Sequence, residues 1–287
     1  MADVEVVQEN GIVEMYEEAA NMWDVEQWGE HQHEGFCDID SPVSGLTPDF
    51  KLAKTRTIEE ALLFAGFSSE NPEKRPRNVV DVGCGIGGSS RHIAKKYGAN
   101  CQGITLGATE VQRATALSVA EGLADKVSFQ VADATEQPFA DGQFDLVWSM
   151  SSSEHVHDKR KFVSELVRVA APGGTVIIVS YFHRNLDSSE ESLQPRETEL
   201  LEKIGELSFS KWCSAADLIK LLQSHCVEDI KTADWTPHVA SFALARSSSR
   251  PCVGPKTTKG GKMAPLMVEG YEMGLIKFGI ITCRKSL

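Results

Sequence analysis

A chain of 287 residues is long enough for one large domain, or a domain with a cap, around a full hydrophobic core. Apolar residues make up 41% and charged residues 24%, and no apolar run reaches the ~20 residues of a membrane-spanning helix. The net charge of −12 is concentrated: residues 1–40 hold twelve acids and no Lys or Arg, while the other 247 residues carry 29 charges of each sign. That acidic start is the opposite of an Arg-rich transit peptide and lacks the apolar segment of a secretory signal. The expectation is a cytoplasmic protein, or a plastid one if the chain is a processed form. No large basic face is evident, so nucleic acid is not an expected partner. Seven scattered cysteines without a C-x-x-C pair suit free thiols in a reducing compartment.

In chain order, residues 11–30 predict an amphipathic helix, with Ile12, Met15, Tyr16, Ala19, Met22 and Trp23 at helical spacing. A Ser-, Pro- and Gly-rich loop (residues 35–49) leads to a second helix from about Ala53 to Phe67, and Asn71 to Arg77 reads as a linker. Residues 1–70 thus form an acidic helical lid, and residues 78–287 the main domain. There, short β-rich runs alternate with helical patterns, as in a parallel α/β sheet. Strands are predicted at Asn78–Val82, Asn100–Thr105, Val127–Val131, Phe144–Trp148 and Thr175–Tyr181, then at Val227–Trp235 and Ile276–Cys283. Helices are predicted at about Gly88–Tyr97, Glu110–Glu121, Asp158–Val169 and Ala215–Ser224, with a polar helical stretch after Leu186. Segments around 183–225 and 236–270 are placed to cap a substrate. Within the second, Arg246 to Lys262 carries five basic residues and no acid; it reads as a solvated loop, or alternatively as a lid or membrane-facing patch.

The strongest signal is Val79-Val80-Asp81-Val82-Gly83-Cys84-Gly85-Ile86-Gly87-Gly88: a buried strand ends in an acid and a glycine turn, and a helix follows at once. Glycines admit a ligand where a Cβ would collide, and the helix N-terminus offers free N–H groups. Glycine spacing alone also suits a dinucleotide. Three features favour S-adenosylmethionine (SAM). Asp81 is placed to compensate a ligand ammonium. The second strand ends in Gly103-Ile104-Thr105-Leu106, without the terminal acid that holds ribose in a nicotinamide site. The third ends in Val131-Ala132-Asp133-Ala134, whose acid suits an adenine amino group. The expected cofactor residues are Asp81, Gly83, Cys84, Gly85, Gly87, Thr105, Leu106, Glu110, Asp133, Ala134 and Ser149.

Long runs carry a more specific resemblance: VVDVGCGIGGSSRHIAKKYGA, VSFQVADATEQPFADGQFDLVWSM, KFVSELVRVAAPGGTVIIVSYFHRNL, WCSAADLIKLLQSH and EGYEMGLIKFGIITCRK. From Gly11 to Leu287 the chain resembles the plant gamma-tocopherol methyltransferase-like family, which includes tocopherol C-methylases and N-methylases of monoterpene indole alkaloids. The resemblance implies a doubly wound, seven-stranded class I methyltransferase sheet with its last strand antiparallel, SAM as cofactor, and a plant source. It also implies that the Trp28-Gly29-Glu30-His31 region is a lid over the cofactor.

Methyl transfer needs donor and acceptor aligned, water excluded and any acceptor proton removed. The residues placed for this leave the end of the fourth strand, Ser149-Met150-Ser151-Ser152-Ser153-Glu154-His155-Val156-His157-Asp158. Glu154 and His155 match an E-H pair of the family, and His155 is the candidate base because an imidazole accepts a proton near neutral pH. The plainer alternative is that His155 packs beside the cofactor while Glu154 caps the next helix. His155-x-His157 and His31-x-His33 lack the further ligands of a zinc site, so no metal is expected.

Three departures from the family bear on the substrate side. Ser151 stands where a carboxylate is usual, Glu110 where a glutamine is usual, and the stretch from Val239 through Phe242 is rewritten. The leading expectation is N-methylation of an indole alkaloid amine, which the acidic lid would concentrate. C-methylation of gamma-tocopherol to alpha-tocopherol is the alternative, and a SAM-binding protein without catalysis is a third reading. The expected partner is a small molecule; the oligomeric state stays open, a homodimer included.

Overall fold

The computed structural model describes residues 11–18, 20, 29–38, 50–240 and 259–287. Met22, Trp23, Trp28 and most of the basic stretch after Phe242 lie outside the described residues, as do the rewritten Ser241 and Phe242.

Seven strands form one sheet in the order β3-β2-β1-β4-β5-β7-β6. They are β1 Asn78–Val82, β2 Asn100–Thr105, β3 Val127–Val131, β4 Phe144–Met150, β5 Ala170–His183, β6 Val227–Asp234 and β7 Ile276–Lys285. The first five pair in parallel, and β7 runs antiparallel to both β5 and β6. The fold is the expected class I methyltransferase arrangement.

Alternation along the central strands explains why helices cover both faces. Val79, Leu146, Ile177 and Ile280 point to one side, where they pack with Ile58, Leu62, Ile93 and Tyr97. Their neighbours Val80, Val147, Ile178 and Ile281 point to the other side, against Phe162, Leu166, Leu218 and Leu222. Strands buried on both faces read as continuous apolar runs, and β1 and β4 do. Strands β3 and β6, at the edges, expose most of their residues.

Local chemistry sets the helix limits. Asp158 caps the helix Lys159–Val169 by accepting from Lys161 N at 2.9 Å. Ser214 and Asp217 form a reciprocal capping box on Ala215–Gln223, and Gln194 with Glu197 does the same for Pro195–Ser208. The second helix runs Phe50–Phe64, three residues earlier than its apolar spacing suggests. Gly66 takes φ +92° there, and Phe67 N turns back to Leu62 O at 2.9 Å. That glycine closure ends the helix before the apolar pattern does. β5 begins five residues earlier than expected, because Pro172-Gly173-Gly174 is folded into the ladder. Phe144 pairs with Ala170 and Leu146 with Thr175, so the extra residues form an irregularity inside the strand. The helix Lys259–Glu272 begins inside the basic stretch and packs on Pro195–Ser208 around Leu200, Leu201 and Ile204.

β2 depends on one close approach. A Cβ on Gly103 would lie 2.5 Å from Phe129 Cδ1 and 2.8 Å from Cys84 Sγ. Gly103→Ala is therefore expected to destabilise the fold by about 1–3 kcal/mol, the usual cost of overpacking. Urea unfolding with an unchanged midpoint would show that Phe129 and Cys84 yield freely.

Candidate active site

The carboxyl ends of β1 to β4 open into a cavity of about 670 Å³. It lies where the chain order reverses between β1 and β4, the usual ligand position in an open α/β sheet. The segments after β1, β2, β3 and β4 form its walls, and the N-terminal helix (residues 11–18) and the strap 30–33 cover it.

Of the residues singled out in the sequence, Asp81, Gly83, Cys84, Gly85, Thr105, Leu106, Glu110, Asp133, Ala134 and His155 line this cavity together. Three others do not. Gly87 is the N-cap of Gly88–Tyr97 at φ +77°, packed so that a Cβ would meet the Phe129 ring. Ser149 stands behind the wall and shares a 2.7 Å hydrogen bond with Ser152, whose Oγ also donates to Val82 O at 2.9 Å. Glu154 points away from the cavity, buried, and accepts from Ser180 Oγ at 2.5 Å. Its contribution at this site is to hold the short helix Ser153–His155 against β5.

The turn after β1 has room for a ligand and little for side chains. Gly83 sits at φ +80°, where a Cβ would strike Ser152. Gly85 sits at φ +52° between the Gln32 and Glu110 side chains, its would-be Cβ 3.2 Å from one and 3.6 Å from the other. Both positions need glycine for conformation as well as space.

The acids here are unusual for their burial. Asp81 is 2% exposed and accepts from Ser90 Oγ at 2.7 Å; burial raises its pKa to about 6 against the opposing effect of that bond. Glu110 accepts from Thr105 Oγ1 at 2.6 Å, and burial pushes its pKa up to about 7, with Glu17 adding to the rise. An uncompensated buried carboxylate seeks a proton or a positive partner. Asp81 thus suits an ammonium, and Glu110 suits donors such as a diol. Asp133 is exposed at the rim, with Oδ1 accepting from Thr135 N at 2.7 Å and Thr135 Oγ1 at 2.9 Å.

Over the acceptor side, Tyr16 OH and His155 Nε2 lie 2.8 Å apart, with the rings edge to face. Burial lowers the His155 pKa, partly offset by Glu154, so the ring is neutral near pH 7. Tyr16 is pushed far above its ordinary range by burial and then by Glu154 and Glu110, so it stays a hydroxyl. Ile12, Val13, Met15, Met150 and Val156 add apolar wall. Ser151 takes φ +50°, and its buried Oγ has no partner. Such strain in a non-glycine residue costs about 1–3 kcal/mol and collects at functional sites.

Sequence reading missed Tyr16 and Gln32 as site residues, and it placed Ser152 in the segment after β4 without a role of its own. Tyr16 shows only as one apolar position of a helical stripe, and its 139-residue separation from His155 hides the pairing. Among the described residues no three His, Cys, Asp or Glu side chains gather as metal ligands, and no helix is long and apolar enough to cross a membrane.

A methyltransferase-domain family model matches residues 80–178. The chain is 54% identical to the chloroplastic tocopherol O-methyltransferase of Arabidopsis thaliana, covering 96% of this chain and 82% of that protein. The chain belongs to the tocopherol methyltransferase-like family. It uses SAM. Norajmaline N-methyltransferase of Rauvolfia serpentina is 44% identical, over 90% of this chain and 91% of its own length. A solved geranyl diphosphate methyltransferase, in complex with geranyl diphosphate and sinefungin, shares the fold at a TM-score of 0.80. It is 19% identical, over 97% of this chain and 99% of that one.

Asp81 gives a test of the site that reads in two directions. Its folded pKa, about 6, lies above the unfolded 3.8, so the folded chain holds the proton more tightly. Stability of the ligand-free protein therefore falls as pH rises from about 4 to about 6, and the cost stays above that. Asp81→Asn is expected to raise stability at pH 7.5 by on the order of 2 kcal/mol while weakening SAM roughly tenfold or more. Thermal melts with SAM titration calorimetry check both; a variant that binds SAM normally places the ammonium elsewhere.

Proposed function

We propose that this enzyme methylates the aromatic ring of a tocopherol-type phenol, converting gamma-tocopherol to alpha-tocopherol. The observation that carries this reading is the 54% identity to a tocopherol methyltransferase over 96% of the chain, against 44% to an alkaloid N-methylase. The acidic lid, which suggested a cationic amine, supports that alternative less well in three dimensions. Glu17 accepts from Thr109 N at 3.0 Å and Glu30 is paired with Arg91 at 2.7 Å, so neither charge is offered to an acceptor. Ile12, Val13, Met15, Met150 and Val156 give the cavity a large apolar share, which suits a chromanol bearing a long hydrocarbon tail. Chloroplastic relatives favour a plastid setting.

The residues present fit SAM: a glycine turn whose missing Cβ atoms leave its space, a buried acid for its ammonium, and Glu110 for its ribose hydroxyls. Asp133 and the backbone at Ala134, at the cavity rim, would hold the adenine edge. When bound, SAM supplies an electrophilic methyl group on a sulfonium. Asp81 and the glycine turn would hold the cofactor's amino-acid end on the side of the cavity that also carries the Tyr16–His155 pair, and the N-terminal helix would exclude water. With His155 as its Nδ1-protonated neutral tautomer, Tyr16 OH donates to Nε2, and its oxygen is free to accept the phenol proton as its own proton passes to Nε2. The resulting phenolate makes the adjacent ring carbon nucleophilic. After the carbon–carbon bond forms, the ring proton of that carbon leaves to solvent and aromaticity returns; the product phenolate takes back the phenolic proton from His155 through Tyr16, so one proton is released per methyl transferred. Tyr16 stays neutral before and after, consistent with its raised pKa.

His155→Ala is expected to lower turnover by ~10²–10⁴ with SAM affinity retained, and Tyr16→Phe to lower it as well while keeping the ring contact. The base works in its neutral form, and burial moves its pKa below 6.5. Activity on the phenol should therefore rise with pH through a transition below 6.5 and be flat above about 7. A rate that keeps climbing above pH 8 on an alkaloid amine, with no product from gamma-tocopherol, would reverse the choice of acceptor. NMR of the product separates ring methylation, which keeps the free phenol, from a methyl ether, the activity in the relatives' names.

A further inference from the structure

The strap that crosses the cavity is tied down on either side of one residue. Glu30 pairs with Arg91 at 2.7 Å, and Lys54 Nζ donates to His31 O at 2.8 Å. His33 Nδ1 lies 2.9 Å from Glu34 O, and Thr57 Oγ1 donates to Glu34 O at 2.8 Å. Phe36 N donates to Ala53 O at 2.9 Å, and Cys37 N to His238 O at 3.0 Å. Gln32 makes none of these contacts. Its Nε2 is buried and has no partner, although the side chain lines the cavity. Buried amide donors are almost always paired, because leaving one unmade forfeits its hydration.

The location narrows what the donor is for. The oxygen of the Gln32 carboxamide stands over Gly85, opposite Glu110, and the unpartnered Nε2 is the other end of the same planar group. Next to it, His31 Nδ1, also without a partner, faces Gly88, the first residue of the helix Gly88–Tyr97. Burial keeps the His31 ring neutral. The strap side of the cavity thus offers an amide donor, a neutral imidazole and a helix N-terminus, and Glu30, two residues before Gln32, is tied to Arg91. That combination suits an anionic oxygen. Glu110, across the turn, repels an anion and suits hydroxyl donors.

We propose that Gln32 donates a hydrogen bond to the α-carboxylate of the bound cofactor, so that closing the strap and holding the amino-acid end of SAM are one event. The proposal rests on the cofactor orientation given above, with Asp81 at the ammonium. Gln32 then acts as a cofactor-positioning residue. It lies on the strap, whereas the rest of the amino-acid subsite lies on the sheet.

Two ligands distinguish the parts. S-adenosylhomocysteine (SAH) carries the amino-acid end; 5′-methylthioadenosine keeps adenine, ribose and thioether but lacks it. By calorimetry on the full chain, Gln32→Leu is expected to weaken SAH about tenfold or more and to leave methylthioadenosine within about twofold. Gln32→Glu should weaken SAH further, because it sets a carboxylate against a carboxylate, and it serves as the second variant if the leucine disturbs folding. SAH should also protect residues 29–38 from proteolysis in the parent more than methylthioadenosine does, and this difference should vanish in Gln32→Leu. Unchanged SAH affinity in both variants overturns the proposal. So does a parallel loss of both ligands, which would assign the amide to the ribose or to the fold, and so does equal protection by the two ligands in the parent. A parent that binds methylthioadenosine and SAH equally well points instead to failure of the underlying orientation at Asp81.

Discussion

The structure depends on how closely other segments approach the backbone between Gly83 and Gly88. Ser152, from the loop after β4, presses on Gly83; Gln32 and Glu110 flank Gly85; the carbonyl of Glu30 approaches Gly88 to within 2.5 Å of where a Cβ would be. A strand end, a strap and the base of a neighbouring helix can converge there because the turn carries almost no side chain. The cavity is what remains between them. Its floor is rigid, being the central, doubly buried part of the sheet, while its cover comes from the first forty residues.

Burial then decides the chemistry of each titratable group. Two acids, Asp81 and Glu110, are held where ionisation is costly without a ligand, and a histidine is held where protonation is costly. A site arranged in this way gains from a cofactor carrying an ammonium and a diol, and it keeps its imidazole available as a proton acceptor. Stability is lost to achieve this: the strained Ser151 and the carboxylate of Asp81 are both costs in the ligand-free fold. Glu154 supports the arrangement from behind. Bound to Ser180, it anchors the turn that presents His155 and supplies the negative charge that partly offsets the burial of the ring.

The cover is tied to the floor by polar contacts across long sequence separations. Arg91, 1% exposed, sits between Glu30 of the strap and Glu121 at the end of the helix Ala108–Ala120. Glu17 accepts from the backbone of Thr109 at the start of that same helix. Much of the acidity of the first forty residues that is described here is spent on such attachments. The composition of the lid therefore says less about the charge of the acceptor than the identities of the residues facing inward.

The sheet was legible in the sequence because its signals are local. Short β-rich segments of five or six residues mark β1, β2 and β3 to the residue, and Asp81 with its glycine turn marks the loop that lines the cavity. Strand and helix ends shifted where a turn competed with the apolar pattern, as at Gly66 and at Pro172-Gly173-Gly174, since hydrogen-bond closure rather than hydrophobicity ends an element. Ser149 and Glu154 show the other limit. Both lie in the right segment, but the twofold alternation of a strand and the direction of a short helix turn them away from the cavity, and Ser152 and His155 face it instead. Only the tertiary structure brought Tyr16 onto His155 and Gln32 over Gly85. The sequence alone determined the sheet, the glycine turn and the family, because each is written in contiguous residues. The fold decided which side chains meet across the cavity, because those pairs are made by packing between segments up to 139 residues apart.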